Sequence, residues 1–97
     1  MIDEQVKYLI EKNPSMTVPH YLMSSYLYYE ENTHYISDGC YDWLCKFMLE
    51  HWNEIKHYHK HIIEYDVLKA GTGFYIKEYP SIVKGAAKRL LKEKNLY

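Results

Sequence analysis

The 97-residue sequence lacks the marks of secreted and membrane proteins. Its only two cysteines, Cys40 and Cys45, lie five positions apart, which is neither a CxxC motif nor a favourable spacing for a disulfide within one helix. No stretch approaches the ~20 apolar residues that span a bilayer, and the acidic residues close to Met1 differ from the basic start of a signal peptide. We therefore expect a cytoplasmic protein with reduced thiols and no membrane partner.

An excess of charge of either sign is also absent, since twelve basic and thirteen acidic residues give a formal net charge of −1. Nonspecific binding to DNA depends mainly on neutralising phosphates, so this balance makes a nucleic-acid partner unexpected. The C-terminal segment is locally basic, and we interpret it as a solvated helix face favoured by the negative end of the helix dipole. The sequence contains no repeat, low-complexity segment or linker, which predicts one domain over residues 1–97.

Aromatic residues, by contrast, are plentiful. Apolar residues make up 47% of the chain, and twelve tyrosines contribute to that fraction. A chain of this length buries roughly 65% of its unfolded surface, which is enough for a single core. Because a buried tyrosine hydroxyl needs water or a hydrogen-bonding partner, we expect a thin core with tyrosines at its rim.

Apolar residues at helical spacing predict two helices in the first third of the chain. The first spans residues 2–12 and ends at Asn13, because the residue before Pro14 is pushed away from the helical conformation. Thr17 is expected to cap the second helix, which runs to about Glu31. The predicted apolar stripe of the first helix consists of Ile2, Val6, Leu9 and Ile10.

Two further helices are predicted in the rest of the chain. Ser37 begins the third as its N-cap, and this helix continues to about Trp52. The periodicity fails over residues 57–61, which predicts a loop or a broken helix, and Pro80 opens the fourth helix. The predicted buried side of that last helix consists of Ile82, Val83, Ala86, Leu90 and Leu91. The expected fold is mostly α, a small single domain of about four helices.

Five residues around the start of the third helix suggest a binding site. Asp38, Tyr41 and Asp42 share one helix face because they are three and four positions apart. Tyr28 and Tyr29 end the preceding helix, and a short loop can return them against that face. Aromatic rings supply stacking and cation–π attraction, while carboxylates accept hydrogen bonds from amide and hydroxyl donors. This combination suits a flat, partly cationic ligand such as nicotinamide riboside.

The segment from Tyr26 to Leu44 resembles the N-terminal domain, often called Ia, of bacterial NAD-dependent DNA ligases. In that family a tyrosine-rich helix ends in a Tyr-His pair, a loop of the same length follows, and the signature Ile-(Ser/Pro)-Asp-x-x-Tyr-Asp-x-Leu comes next. The signature residues in this sequence are Ile36, Ser37, Asp38, Tyr41, Asp42 and Leu44. From Trp52 onward the chain is similar to small ligase-related proteins of bacteriophages.

The resemblance implies a surface that holds NAD or nicotinamide mononucleotide. By that resemblance Tyr28 and Tyr41 embrace the nicotinamide ring, whereas Asp38 and Asp42 hold its carboxamide and ribose. Tyr29 occupies the position of the family's histidine. This substitution puts the implied phosphate contact in question, because tyrosine donates a hydrogen bond but stays neutral. His34, in the loop between the two helices, is a candidate to compensate.

The ligase nucleophile is missing from the sequence. There is no Lys-x-Asp-Gly motif, and the segment beginning at Lys69 lacks its aspartate, so neither an adenylated intermediate nor ligation is expected. The predicted function is a stand-alone module, in a bacterium or a phage-infected host, that binds a nicotinamide-type nucleotide. The alternative is a protein-interaction or inhibitory module that keeps the fold with a vestigial pocket. An enzyme acting on NAD is the least supported reading, since no nucleophile or tuned base is visible.

Two other features are interpreted as structural. Four histidines lie from His51 to His61, and His57 and His61 have the spacing of a zinc-binding pair, but no third ligand is evident. A histidine-rich surface loop is the preferred interpretation, and no metal site is predicted. The Gly71-Thr72-Gly73 segment is too short for a phosphate-binding loop, and its glycines predict a turn.

Overall fold

Helix α2, the central element of the fold, spans Thr17–Glu30. The computed structural model describes residues 1–69 and 76–94. Within them the other helices are α1 (Asp3–Lys12), α3 (Asp38–Glu50), the single-turn α4 (Tyr65–Leu68) and α5 (Ser81–Glu93). Short 3-10 segments occupy Pro14–Met16, Trp52–Glu54 and Lys60–Ile62. The prediction of a mostly α domain with about four helices is confirmed.

The packing explains why α2 carries so few charged residues. Helices α3 and α5 both pack against it, and every residue from His20 to Leu27 is buried. A helix buried on nearly all sides is apolar all round. The two serines in this stretch are accommodated by hydrogen bonds, since the Ser24 hydroxyl donates to the His20 carbonyl oxygen at 2.6 Å. Helix α1 packs on α3 and contributes the fully buried side chains of Val6 and Ile10 to the core.

The buried face of α5 differs from the predicted one. Val83 and Leu91 are buried and Leu90 is half-buried, but Ile82 is 64% exposed and Ala86 is also exposed. The core takes Ala87 in their place, because residues 83, 87 and 91 are four apart and form one stripe. The set of residues predicted to form the buried side of α5 was therefore too large. A similar correction applies to Leu9 of α1, which is exposed.

The predicted start of α3 is confirmed, whereas that of α2 is wrong in detail. Ser37 is extended, and its Oγ accepts a hydrogen bond from the Cys40 amide at 3.1 Å, as an N-cap does. Thr17 is instead the first residue of α2, and its hydroxyl donates to the Pro14 carbonyl oxygen at 2.7 Å. The capping side chain here is Asn13, which begins the 3-10 segment before α2.

Tyrosines lie in the centre of the core and not only at its rim. Tyr21 and Tyr35 are fully buried. The Tyr35 hydroxyl lies 2.7 Å from Nδ1 of His20 and 3.3 Å from the His20 carbonyl oxygen. The hydrogen-bonding need of this phenol is therefore met inside the protein, which the sequence-based expectation of a tyrosine rim did not foresee.

The second half of the chain is less regular. Residues 57–61 form an irregular turn leading into a 3-10 segment, which confirms the predicted break in periodicity. The predicted turn at Gly71 and Gly73 lies outside the described residues. Helix α5 begins directly after Pro80, as expected. Over the ranges that are described, no helix has both the length and the apolar character to cross a membrane.

Candidate functional site

A cleft of about 200 Å³ opens between the C-terminal end of α2 and the N-terminal end of α3. Its walls are aromatic, hydroxyl and carboxylate side chains. The lining residues are Ser24, Tyr28, Tyr29, His34, Ile36, Ser37, Asp38, Tyr41 and Asp42. All five residues selected from the sequence therefore surround one cleft, and His34 from the intervening loop joins them.

The loop between α2 and α3 brings these two helix ends together. Asn32 has a φ of 51°, in the left-handed region that asparagine tolerates better than most residues. The next amide, that of Thr33, donates to the Leu27 carbonyl oxygen at 3.0 Å. This bond closes the end of α2 by satisfying a carbonyl oxygen of its last turns. The chain then reverses direction, so that Tyr28 and Tyr29 share a cleft with residues of α3.

The N-terminal end of α3 is fixed by α1. The Ser37 amide donates to Oδ1 of Asp3 at 2.9 Å, and the Ser37 hydroxyl donates to Oδ2 of Asp3. Burial alone would raise the pKa of Asp3. The two hydrogen bonds from Ser37 and the charge of Lys7 outweigh burial, and they hold the pKa of this carboxyl below its usual value. Asp3 is therefore an ionised anchor for the wall of the cleft.

Tyr41 forms the inner part of the cleft. Its hydroxyl lies 2.7 Å from Oγ of Ser25, and its ring stacks on that of Tyr21 at a centroid distance of 5.8 Å. Burial raises the pKa of Tyr41 well above its ordinary value, although the hydrogen bond with Ser25 offsets part of that effect. The phenol is therefore neutral and held in place, and its ring is available to a ligand only from the cleft side.

Tyr28 and Tyr29 form the outer part of the cleft. Tyr28 is 54% exposed and Tyr29 is 36% exposed, and their rings meet edge to face at 4.8 Å. The resemblance implies that Tyr28 and Tyr41 hold a ring between them. In this cleft the two tyrosines differ in burial, since Tyr28 is exposed at the rim and Tyr41 is partly buried at the floor. Such a site presents aromatic surface at two depths.

The charge of the cleft is negative. Asp38 and Asp42 are both exposed, and Asp42 forms an ion pair with Lys46 at 3.0 Å on the outer surface of α3. An exposed pair at i,i+4 contributes only about 0.3–0.5 kcal/mol. Among the described residues that line the cleft there is no lysine or arginine, and His34 is the one side chain able to carry positive charge.

Other reactive groups lie apart from the cleft. The buried thiols of Cys40 and Cys45 have pKa values raised to about 11 and about 12, with burial as the main cause and nearby carboxylates, chiefly Asp3 and Asp42 respectively, adding to it. Thiols with such pKa values are poor nucleophiles at neutral pH. In the segments 1–69 and 76–94, no group of three or more histidine, cysteine or acidic side chains is arranged to hold a metal ion.

Three residues contribute to the cleft without having been predicted. Ser24 lines it, Ser25 bonds the Tyr41 hydroxyl, and Asp3 holds Ser37. The spacing of four between Ser24 and Tyr28 places them on one helix face, and that signal could have identified Ser24. No local signal exists for Asp3, because 34 positions separate it from Ser37.

The arrangement can bind a flat cation whose substituents donate hydrogen bonds. Tyrosine rings offer stacking and cation–π attraction, and the two carboxylates accept hydrogen bonds from hydroxyl or amide groups. Comparisons with protein-family models, with curated proteins and with solved structures find no match to this chain.

Proposed function

We propose that this protein binds a nicotinamide-type nucleotide, nicotinamide mononucleotide, NAD or a related derivative, and does not act as a ligase. The observation that carries the proposal is the convergence of Tyr28, Tyr29, Asp38, Tyr41 and Asp42 on one cleft. These five residues come from two helices, and four of them match the signature of the nicotinamide site that the resemblance implies, whereas Tyr29 stands in place of its histidine. Their meeting around one opening is what that signature requires.

The dimensions of the cleft fit part of such a ligand. Its volume of about 200 Å³ is below the ~300–1,000 Å³ common for sites that enclose a drug-sized molecule. A nicotinamide ring and its ribose are smaller than such molecules, so the cleft suits these two groups, and any phosphate or adenylate would lie at its opening beside the exposed carboxylates. The rings of Tyr28 and Tyr41 would contact the nicotinamide, and Asp38 and Asp42 would accept from its carboxamide and the ribose hydroxyls.

Binding without turnover is the expected mode of action. The neutral Tyr41 phenol and the protonated thiols of Cys40 and Cys45 supply no nucleophile at neutral pH. The described lining residues contain no lysine that could carry an adenylate. Sequestration or sensing of the ligand is the function consistent with these groups.

Calorimetric titration of paired variants tests the proposal. Asp38→Asn removes a carboxylate from the cleft, and Asp66→Asn removes an exposed one from α4. Tyr28→Ala and Tyr58→Ala form a second pair, since Tyr58 is 71% exposed and lies outside the cleft. We expect roughly tenfold or greater loss of affinity for nicotinamide riboside, the part of the ligand that these residues contact, in the two cleft variants, and no change in the controls. Equal affinities within each pair would exclude this site.

The alternative is a protein-interaction module with a vestigial pocket. It predicts that the chain from residue 57 to residue 79 covers the cleft. Of the described part of that segment, residues 57–69 and 76–79, none lines the cleft, and Tyr28 at its rim is exposed. An open cleft favours a small-molecule ligand over an inherited scaffold.

A further inference from the structure

We infer that the cleft selects its ligand by charge and accepts cationic, unphosphorylated nicotinamide riboside in preference to the mononucleotide. This inference rests on the proposed function, and it specifies which nicotinamide derivative the site takes. The same residues line the site, and the summed charge of their side chains, more than the shape of the cleft, would determine which derivative binds.

The ionisable side chains around the cleft disfavour a phosphate. Asp38 and Asp42 bring negative charge to the lining, and none of the described lining residues is a lysine or an arginine. The rim has the tyrosine side chain of Tyr29 where a basic residue would favour a phosphate. A phosphate placed beside these carboxylates meets like charge, and one such contact at ~4 Å in water lowers affinity roughly fivefold. A riboside, whose pyridinium ring is its only charge, meets opposite charge instead.

Apart from the imidazole of His34 in the lining, two sources of positive potential lie nearby, and both are already engaged. The N-terminal end of α3 carries roughly half a positive charge from the helix dipole, but the Ser37 hydroxyl caps the Cys40 amide and the carboxylate of Asp38 occupies the first turn. Lys46 is paired with Asp42, and its side chain is 69% exposed. A solvated lysine on the outer face is screened and contributes little inside the cleft.

The aromatic walls add a second criterion. Cation–π attraction requires a positive ring near the tyrosine faces. The oxidised pyridinium has that charge, whereas the reduced dihydropyridine ring is neutral. Contacts with Tyr28 and Tyr41 therefore favour the oxidised form, and the same carboxylates that repel phosphate reinforce this preference.

Titration calorimetry with three ligands tests the inference on the full chain. The ligands are nicotinamide riboside, nicotinamide mononucleotide and reduced nicotinamide riboside. We expect the oxidised riboside to bind at least about tenfold more tightly than either of the other two. A mononucleotide that binds as tightly as the riboside would overturn the inference and leave the proposed function intact. Absence of binding by all three would remove the proposed function, and the inference with it.

A gain-of-charge variant provides a second readout. Tyr29→Lys adds a cation at the rim, and Tyr58→Lys adds the same charge to an exposed position outside the cleft. The rim variant should bind the mononucleotide more tightly and the riboside more weakly. The ratio of the two dissociation constants should therefore fall several-fold in this variant and stay at the wild-type value in the control. Circular dichroism of both variants verifies that they are folded. An unchanged ratio in Tyr29→Lys would contradict selection by charge.

Discussion

The side chain of Tyr41 lines the cleft and also connects two helices. It is hydrogen-bonded to Ser25, which is fully buried in α2. The two residues are 16 positions apart, so their bond ties the first turn of α3 to the middle of α2. A polar contact of this kind fixes the orientation of the ring and contributes to stability at the same time.

Removal of either hydroxyl should destabilise the protein. Tyr41→Phe leaves Ser25 Oγ buried without this partner, and Ser25→Ala does the same to the phenol. We expect each change to lower the free energy of unfolding by about 1–3 kcal/mol. The double variant should lose about 1 kcal/mol less than the sum, because it removes both polar groups together. Urea unfolding of the four proteins measures this coupling, and strict additivity would show that the contact carries no energy.

His20 is a buried group whose protonation links stability to pH below neutrality. It is 6% exposed, and burial lowers its pKa from 6.5 to about 4, so it stays neutral beside Tyr35 at physiological pH. In the unfolded chain the same imidazole gains a proton below about pH 6.5. Between pH 6.5 and about 4 the unfolded state therefore binds more protons than the folded state, and stability falls as the pH is lowered.

The expected loss attributable to His20 is about 2 kcal/mol between pH 8 and pH 5. His20→Gln keeps a hydrogen-bonding side chain next to Tyr35 but does not titrate. The difference in unfolding free energy between the two pH values should be about 2 kcal/mol smaller in this variant, while contributions from the other histidines are shared by both proteins. Chemical denaturation at the two pH values measures both differences. If the free energy of unfolding depended on pH identically in the two proteins, a group other than His20 would be responsible for the loss of stability.

The connection between α2 and α3 determines whether the cleft exists. It depends on Asn32, whose positive φ allows the chain to reverse after Glu31. The Asp3 carboxylate then holds the other end of the connection through Ser37. Tyr28 and Asp38 would not share a cleft if the loop entered α3 from another direction.

Substitution of Asn32 tests this connection. An alanine in the left-handed region is strained by roughly 1–2 kcal/mol, whereas glycine adopts that conformation without strain. We expect Asn32→Ala to lower the free energy of unfolding by about 1 kcal/mol and Asn32→Gly to leave it nearly unchanged. Thermal unfolding of the two variants provides the comparison. Equal stability of the alanine and glycine variants would argue against a conformational requirement at this position.

Local patterns in the sequence were sufficient to predict the elements but not their contacts. The cap at Ser37 and the break at Asn13 are set by residues close in the chain, so both were predicted correctly. The burial of Tyr35 and the exposure of Ile82 depend on which helices meet, and periodicity alone does not contain that information. The convergence of Tyr28 with Asp38 was predictable only because the connection between α2 and α3, residues 31–37, is too short for the chain to travel far.

The cleft and the hydrophobic core share a helix. Helix α2 supplies the centre of the core through Tyr21 and Leu22, and a few residues later it supplies the rim of the cleft. A ligand that bridges the ends of α2 and α3 therefore stabilises the packing of these two helices on each other. Binding to the native state alone raises stability by about 2.7 kcal/mol at a ligand concentration one hundred times Kd.

A thermal-shift titration measures this linkage most directly. The ligands are nicotinamide riboside, nicotinamide mononucleotide and NAD, with ADP-ribose and AMP as controls that lack the nicotinamide ring. We expect a saturable rise in Tm of about 10 °C or more near a hundredfold excess over Kd for the best nicotinamide ligand. Neither control should shift Tm, and the rise should be lost in Asp38→Asn. No rise in Tm with any nicotinamide ligand, or an equal rise with AMP, would contradict the proposal that the cleft binds a nicotinamide-type nucleotide.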